Sequence, residues 1–202
     1  MNQPPASLFV GVTGASGARY AVRLLGALAE AGCELTLCLS DAGVAVAAHE
    51  LELGVAGRAE VTAAVLAAAG AEARVYGPDD LEAPVASGSN FPDAAVICPC
   101  SMSSVAHIAL GTTRTLIHRV GEVALKEGRP LVLVPRETPL SEIHLARLLE
   151  VRRAGALVVP PMPGFYTLPR SLDDVVDFVA GKVLHALGLE QRLAPPWEGP
   201  LR

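Results

Sequence analysis

Short apolar runs without polar alternation recur along this chain, and each is followed by a stretch of helical periodicity. Leu8–Val12 and Glu34–Leu39 read as buried strands, and the segments Ala18–Ala31 and Ala42–Leu53 read as helices. Further strands are predicted at Ala73–Tyr76, Ala94–Ile97, Leu131–Val134 and Ala156–Val159, with helical stretches at Val61–Ala69, Val105–Lys126, Glu142–Arg153 and Ser171–Leu187. A strand that is apolar on both faces must be covered on both faces. Strands of that kind alternating with helices imply a three-layer α/β fold around a mostly parallel sheet. Crossovers in such a sheet are right-handed, and ligands bind at the carboxyl ends of its strands near the switch point.

The 202 residues, 51% of them hydrophobic, suffice for one sizeable core and are too few for two comfortable domains. A single domain over 1–202 is expected, with residues 1–6 a flexible N-terminus and 188–202 a C-terminal tail. No run approaches the length of a membrane span, and Met1–Ser7 carries no secretory or transit pattern, so a cytoplasmic location is expected. With a formal net charge of −5 and scattered basic residues, no cationic stripe suits a nucleic-acid backbone. Cys33, Cys38, Cys98 and Cys100 form no CxxC pair and are expected to be plain buried thiols.

Directly after the first strand comes Gly11-Val12-Thr13-Gly14-Ala15-Ser16-Gly17, a glycine-rich turn opening a helix whose amides and dipole suit a phosphate. The same spacing occurs in NAD(P) reductases, and Asp41 stands near where such an enzyme holds the ribose. A short-chain reductase would also need Tyr-x-x-x-Lys, and Tyr20, Tyr76 and Tyr166 are followed at that spacing by Leu24, Asp80 and Arg170. After the Ala94–Ile97 strand, Cys98-Pro99-Cys100-Ser101-Met102-Ser103-Ser104 supplies three hydroxyls at a helix start. Ser101 there is either a helix cap alone or part of a second set of ligand contacts. Arg136-Glu137 follows the Leu131–Val134 strand in the same way, as a surface ion pair or as a cation and an acid at a third strand end.

Two segments exceed what a minimal sheet needs and read as binding loops: Gly77–Pro92, and Pro160–Pro169 with the sequence PPMPGFYTLP. Asp173-Asp174-Val175-Val176-Asp177 spells the DDxxD pattern by which isoprenoid enzymes hold magnesium. Ser171 and Asp174 also make a capping box, so a helix start is the better reading. None of the five histidines stands at metal-ligand spacing from another His or Cys, and no metal is expected.

Taken together, GVTGASGA at 11–18, ASGS at 86–89, VICPCS at 96–101, ALKEGRPLVLVPRETP at 124–139, PPMPGFY at 160–166 and LPRSLDDVVDFV at 168–179 resemble the UbiX family of flavin prenyltransferases in order and spacing. The resemblance implies a Rossmann-like (flavodoxin-like) flavoprotein, commonly a homododecamer, that binds FMN where subunits meet. It implies transfer of a dimethylallyl group from dimethylallyl monophosphate to reduced FMN, at N5 and then by ring closure at C6, without a metal. The prenylated FMN serves UbiD-type decarboxylases, one of them in ubiquinone biosynthesis. By the same resemblance Gly14, Ala15 and Ser16, then Ser40, then Ser101, Met102, Ser103 and Ser104, and Arg136 contact the flavin. Ser87, Arg119, Lys126, Tyr166, Lys182 and Trp197 serve the prenyl phosphate. Glu137 and Glu50 are the active-site carboxylates, with Glu137 the first choice of proton shuttle, aided by Ser16. Allylic phosphates ionise when fixed cations and hydroxyls meet the departing oxygens, which is the chemistry this set supplies.

The sequence departs from the family pattern in three places: Lys182 where Arg is usual, Gly128 where Arg is usual, and the stretch Arg114-Thr115 where Asp or Asn is more common. They leave open the detail of phosphate contact, subunit packing and donor preference. A flavin-dependent decarboxylase, an NAD(P) reductase and a non-catalytic flavin-binding protein are the alternatives.

Overall fold

The computed structural model describes residues 4–54, 57–194 and 199. Its chain alternates strand and helix: β1 (Ser7–Val12), α1 (Ala18–Glu30), β2 (Glu34–Leu39), α2 (Asp41–Glu50), α3 (Arg58–Ala69), β3 (Arg74–Tyr76), β4 (Ala94–Cys100), α4 (Met102–Leu110), α5 (Leu116–Lys126), β5 (Leu131–Pro135), α6 (Glu142–Arg153), β6 (Leu157–Val158) and α7 (Leu172–Ala186). The six strands form one sheet in the order β3-β2-β1-β4-β5-β6, every neighbouring pair parallel. That is the doubly wound order, and it reverses between β1 and β4.

Strand side chains alternate between two cores. Leu8, Val10, Leu37, Val96 and Val132 pack with α1, α3 and α7 on one face. Phe9, Cys38, Ala95, Ile97 and Leu133 pack with α4, α5 and α6 on the other. Both layers are needed because the strands are apolar on both faces, and emptying one central position, as in Leu37→Ala, would cost about 2–5 kcal/mol.

The long helical stretch predicted over Val105–Lys126 is two helices. Gly111 closes α4 in the left-handed region, with φ 64°, and the Thr115 hydroxyl caps α5 by accepting from His118 N–H. Three threonines between them, Thr112, Thr113 and Thr115, favour a turn over helix interior. The other elements fall within a few residues of expectation. Cys38, Cys98 and Cys100 are buried, whereas Cys33 is only half-buried at a strand start, its thiol donating to Pro5 O at 3.5 Å. Burial pushes the Cys38 and Cys98 thiols up to about 12. No helix among the described residues is long and apolar enough to cross a membrane.

Candidate active site

Where the sheet order reverses, the chains leaving β1 and β4 diverge and their ends must be tied together. Thr13, 2% exposed, does this. Its N–H and its Oγ1 both donate to Pro99 O, at 3.1 and 2.9 Å, and Oγ1 accepts the Ser101 N–H at 2.7 Å. Sequence reasoning did not single out Thr13, because nothing in the glycine-rich string separates it from a spacer residue.

The glycine loop is shaped by close approach. A Cβ on Gly14 would lie 2.4 Å from the Ala42 Cβ at the start of α2, so the loop passes where only glycine fits. Gly17, at φ 132°, precedes α1 and offers it no side-chain cap. Glu50, the last residue of α2, supplies one: its carboxylate accepts from Gly17 N–H at 3.0 Å and from Ala18 N–H at 2.7 Å. Partial burial would by itself raise the Glu50 pKa. The Ser16 hydroxyl, these two amides and the Arg136 charge outweigh it and hold the carboxyl below its ordinary value.

Arg136 donates from Nε to Ser16 O at 3.1 Å, and its N–H bonds Cys100 O at 3.2 Å, so β5 delivers a guanidinium between the two loops. It is not ion-paired with Glu137. That carboxylate is exposed and accepts the Thr138 N–H at 3.0 Å. Ser101 caps α4 by accepting the Ser104 N–H at 3.2 Å, while Met102 and Ser104 are buried and Ser103 is exposed. Ser40 caps α2 through Gly43 N–H and donates its own N–H to Val12 O at 2.9 Å, which places it beside the end of β1. Asp41 begins α2 and is ion-paired with Arg58.

The structure therefore brings Gly14, Ala15, Ser16, Ser40, Ser101, Met102, Ser103, Ser104 and Arg136 to one sheet edge. A cavity of about 480 Å³, lined in part by Ser16, Gly17, Tyr20 and Glu50, opens beside this edge. A larger cleft of about 650 Å³ runs outward along α1, α3 and α7 and reaches only Glu50 of the candidate residues. The smaller cavity is the better placed, since Ser16 and Gly17 of the glycine loop line it. Serine hydroxyls and a guanidinium make the edge rich in donors, which fits a phosphorylated ligand such as FMN.

The residues expected to meet a prenyl phosphate fall into two groups. Arg119 on α5 donates from Nε to Ala86 O at 3.2 Å, Ser87 follows directly, and Lys126 at the end of α5 pairs with Glu127 at 2.7 Å. Tyr166 sets its ring edge against Phe178 of α7, centroids 5.7 Å apart, and Lys182 Nζ lies 5.3 Å over the same Phe178 ring. The first group belongs to the α5 layer and the second to the α7 layer, on opposite faces of the sheet. Trp197 lies outside the described residues.

The DDxxD string is a helix start. Asp174 accepts the N–H groups of Arg170 and Ser171 at 2.6 and 3.0 Å, Ser171 returns the contact through Asp174 N–H, and Asp177 bonds Arg23 at 2.5 Å. The Arg170 amide contact leads the effects that hold the Asp174 carboxyl below its ordinary pKa.

Residues 1–184 match the Flavoprotein family model. Flavin prenyltransferase UbiX of Pseudomonas aeruginosa is 43% identical over 197 residues, covering 96% of this chain and 94% of that protein. The chain belongs to the UbiX family of flavoproteins. Among solved structures, AnUbiX in complex with FMN and dimethylallyl pyrophosphate is 38% identical, with a TM-score of 0.86 over 98% of this chain and 100% of that one. A dodecameric FMN-dependent UbiX-like decarboxylase from Escherichia coli O157:H7 is 42% identical, with a TM-score of 0.84 over 96% and 100%. The family assignment therefore accords with the doubly wound sheet and the donor-rich edge at its switch point.

Proposed function

We propose that this chain is a flavin prenyltransferase that moves a dimethylallyl group from dimethylallyl monophosphate to reduced FMN. The observation that carries the reading is the meeting of two hydroxyl- and amide-bearing loops with Arg136 at one switch point, in a chain alignable with named flavin prenyltransferases over nearly its whole length. Bound FMN would supply the nucleophilic ring to which the prenyl group is joined. Gly14, Ala15, Ser16, Ser40, Ser101, Met102, Ser103, Ser104 and Arg136 would hold it by its phosphate and ring edges. Thr13 would keep the two loops in register.

The transfer breaks the allylic C–O bond of the donor and releases inorganic phosphate. Arg119, Lys126 and Ser87 of one copy, with Tyr166 and Lys182 of another, would take up the charge on the departing oxygens. Their placement on opposite faces of one chain supports a site completed between copies. So do the exposed apolar side chains of Ile143, 70% exposed, and Phe165, 71% exposed, which are poorly suited to permanent contact with water. A dodecamer is the assembly we infer, with Trp197 as a further donor contact. Glu137, exposed beside Arg136, is the group we assign to proton movement. Glu50, held ionised on the α1 amides, keeps the glycine loop in shape. A UbiD-type decarboxylase as recipient, a role in ubiquinone biosynthesis and a cytoplasmic location belong to the same proposal.

Anaerobic incubation with reduced FMN and dimethylallyl monophosphate, or the pyrophosphate in a parallel arm, followed by mass spectrometry of the flavin, tests it. A flavin heavier by the added prenyl carbons is expected, with activity indifferent to EDTA. Flavin recovered at its starting mass in both arms would refute the proposal.

A further inference from the structure

Beneath the serine loop, between α4 and α5, Ser101 and Ser104 join a polar cluster whose histidines have no part in the reading so far. His118, 7% exposed, places Nε2 3.3 Å from Ser104 Oγ. Ser104, itself 5% exposed, also accepts the Ser101 hydroxyl proton at 3.1 Å. The His107 ring stacks on His118 with centroids 4.6 Å apart, and its Nδ1 lies 2.9 Å from Thr112 Oγ1. His118 Nδ1 is buried with no hydrogen-bond partner among the described residues.

That unmatched nitrogen decides the tautomer. A neutral imidazole carries one N–H. On Nδ1 it would be a buried donor without an acceptor, which is the rarer kind of orphan. On Nε2 it faces Ser104, and only a lone pair on Nδ1 goes unmatched. The ring is neutral because burial, with the neighbouring His107 and Arg114, pushes its pKa down to about 4. Nε2 then donates to Ser104 Oγ. With both Ser101 and His118 donating to it, Ser104 Oγ has its own proton left over and no third partner among the described residues.

We propose that His118 is a positioning residue for the bound ligand: by donating from Nε2 it turns Ser104 into a hydrogen-bond donor toward a ligand oxygen at the α4 N-terminus. The ligand class is an oxyanion or carbonyl oxygen, and its identity as FMN rests on the function proposed above. His118 touches no reacting atom and acts through Ser104 alone.

Two measurements test this. Solid-state NMR of wild-type protein labelled with ¹⁵N-histidine reads the tautomer without any ligand or variant. A neutral Nε2–H ring for His118 is expected, and an Nδ1–H ring would overturn the proposal. Titration with FMN then compares variants: His118→Leu should bind about five- to tenfold more weakly, one hydrogen bond's worth. His118→Gln, whose amide nitrogen can stand in for Nε2, should recover most of that loss. On a Ser104→Ala background, His118→Leu should add nothing. A His118→Leu protein that binds FMN as tightly as wild type, or equal additive losses in the double variant, would sink the inference. Wild type that fails to bind FMN would refute the function instead, and the tautomer measurement would still decide whether His118 is the donor.

Discussion

Replacing Thr13 by Val keeps the shape of the side chain and removes only its hydroxyl. Two hydrogen bonds go with it, to Pro99 O at 2.9 Å and from Ser101 N–H at 2.7 Å. Pro99 O keeps the Thr13 N–H at 3.1 Å, so no acceptor is stranded. The Ser101 N–H is stranded, in a partly buried position where an unmet donor costs about 1–3 kcal/mol. Adding roughly 1 kcal/mol for the lost bond to Pro99 gives about 2–4 kcal/mol of stability. For a chain of this size that lowers the unfolding midpoint by roughly 4–16 °C, at about 2–4 °C per kcal/mol. Circular dichroism melts at fixed protein concentration would show the drop, and FMN titration should show weaker binding as β1 and β4 lose their tie. Thr13→Ser should restore both. A Val variant melting within a degree of wild type, with flavin affinity unchanged, would refute the bracing role.

Glu50 is held below its ordinary pKa, so the stability it contributes is full above the unfolded carboxyl value of about 4.3 and is lost as pH falls through the lower folded value. Glu50→Gln should remove that part of the acid sensitivity, read as urea midpoints between neutral and acid pH. Lys182→Ala should weaken the prenyl donor by roughly 1.5–3 kcal/mol, the range for a charged hydrogen bond, with Lys182→Arg retaining affinity and flavin binding unchanged in both. Glu137→Gln should bind flavin and donor and fail to turn over in rapid-quench assays; wild-type turnover would assign the proton to another group. Arg119→Ala and Lys182→Ala, each impaired alone at low donor concentration, should regain part of that low-donor activity when co-refolded, because mixed assemblies contain some intact sites; no recovery would place both residues in a site built by one chain.

The sheet was legible because unbroken apolar strands leave few options, and the loops after β1, β4 and β5 were legible because glycines with Ser16 follow the first, serines follow the second and the Arg136-Glu137 pair follows the third. The break between α4 and α5 was missed because Gly111 and its threonines sit inside an otherwise continuous apolar pattern. Thr13 and His118 were invisible for a related reason. Their roles depend on partners far along the chain, Pro99 and Ser101 for the first and Ser104 for the second, and no local pattern marks such pairs. Glu50 was read as chemistry from the resemblance, and its contacts with Gly17 and Ala18 appear only when α2 is folded against α1. The split of Arg119 from Lys182 across the sheet likewise follows from topology, which spacing along the chain does not reveal.

The tie through Thr13 also says where the site can breathe. Loops at the ends of β1 and β4, stitched across neighbouring strands, form a stiff floor that opens only with the sheet itself. The segment carrying Tyr166 is held differently: the backbone bonds of Met162, Thr167 and Leu168 close on Pro160, Gly164 and Phe165 within the segment, while the Tyr166 ring rests against Phe178 of α7. Bonds that close on their own neighbours resist little when a loop swings as a body. Hydrogen exchange should therefore find slow amides along 10–13 and 96–101 and fast ones along 162–168, so that the proposed flavin side of the site would stand still while the proposed prenyl side yields to admit and release its ligand.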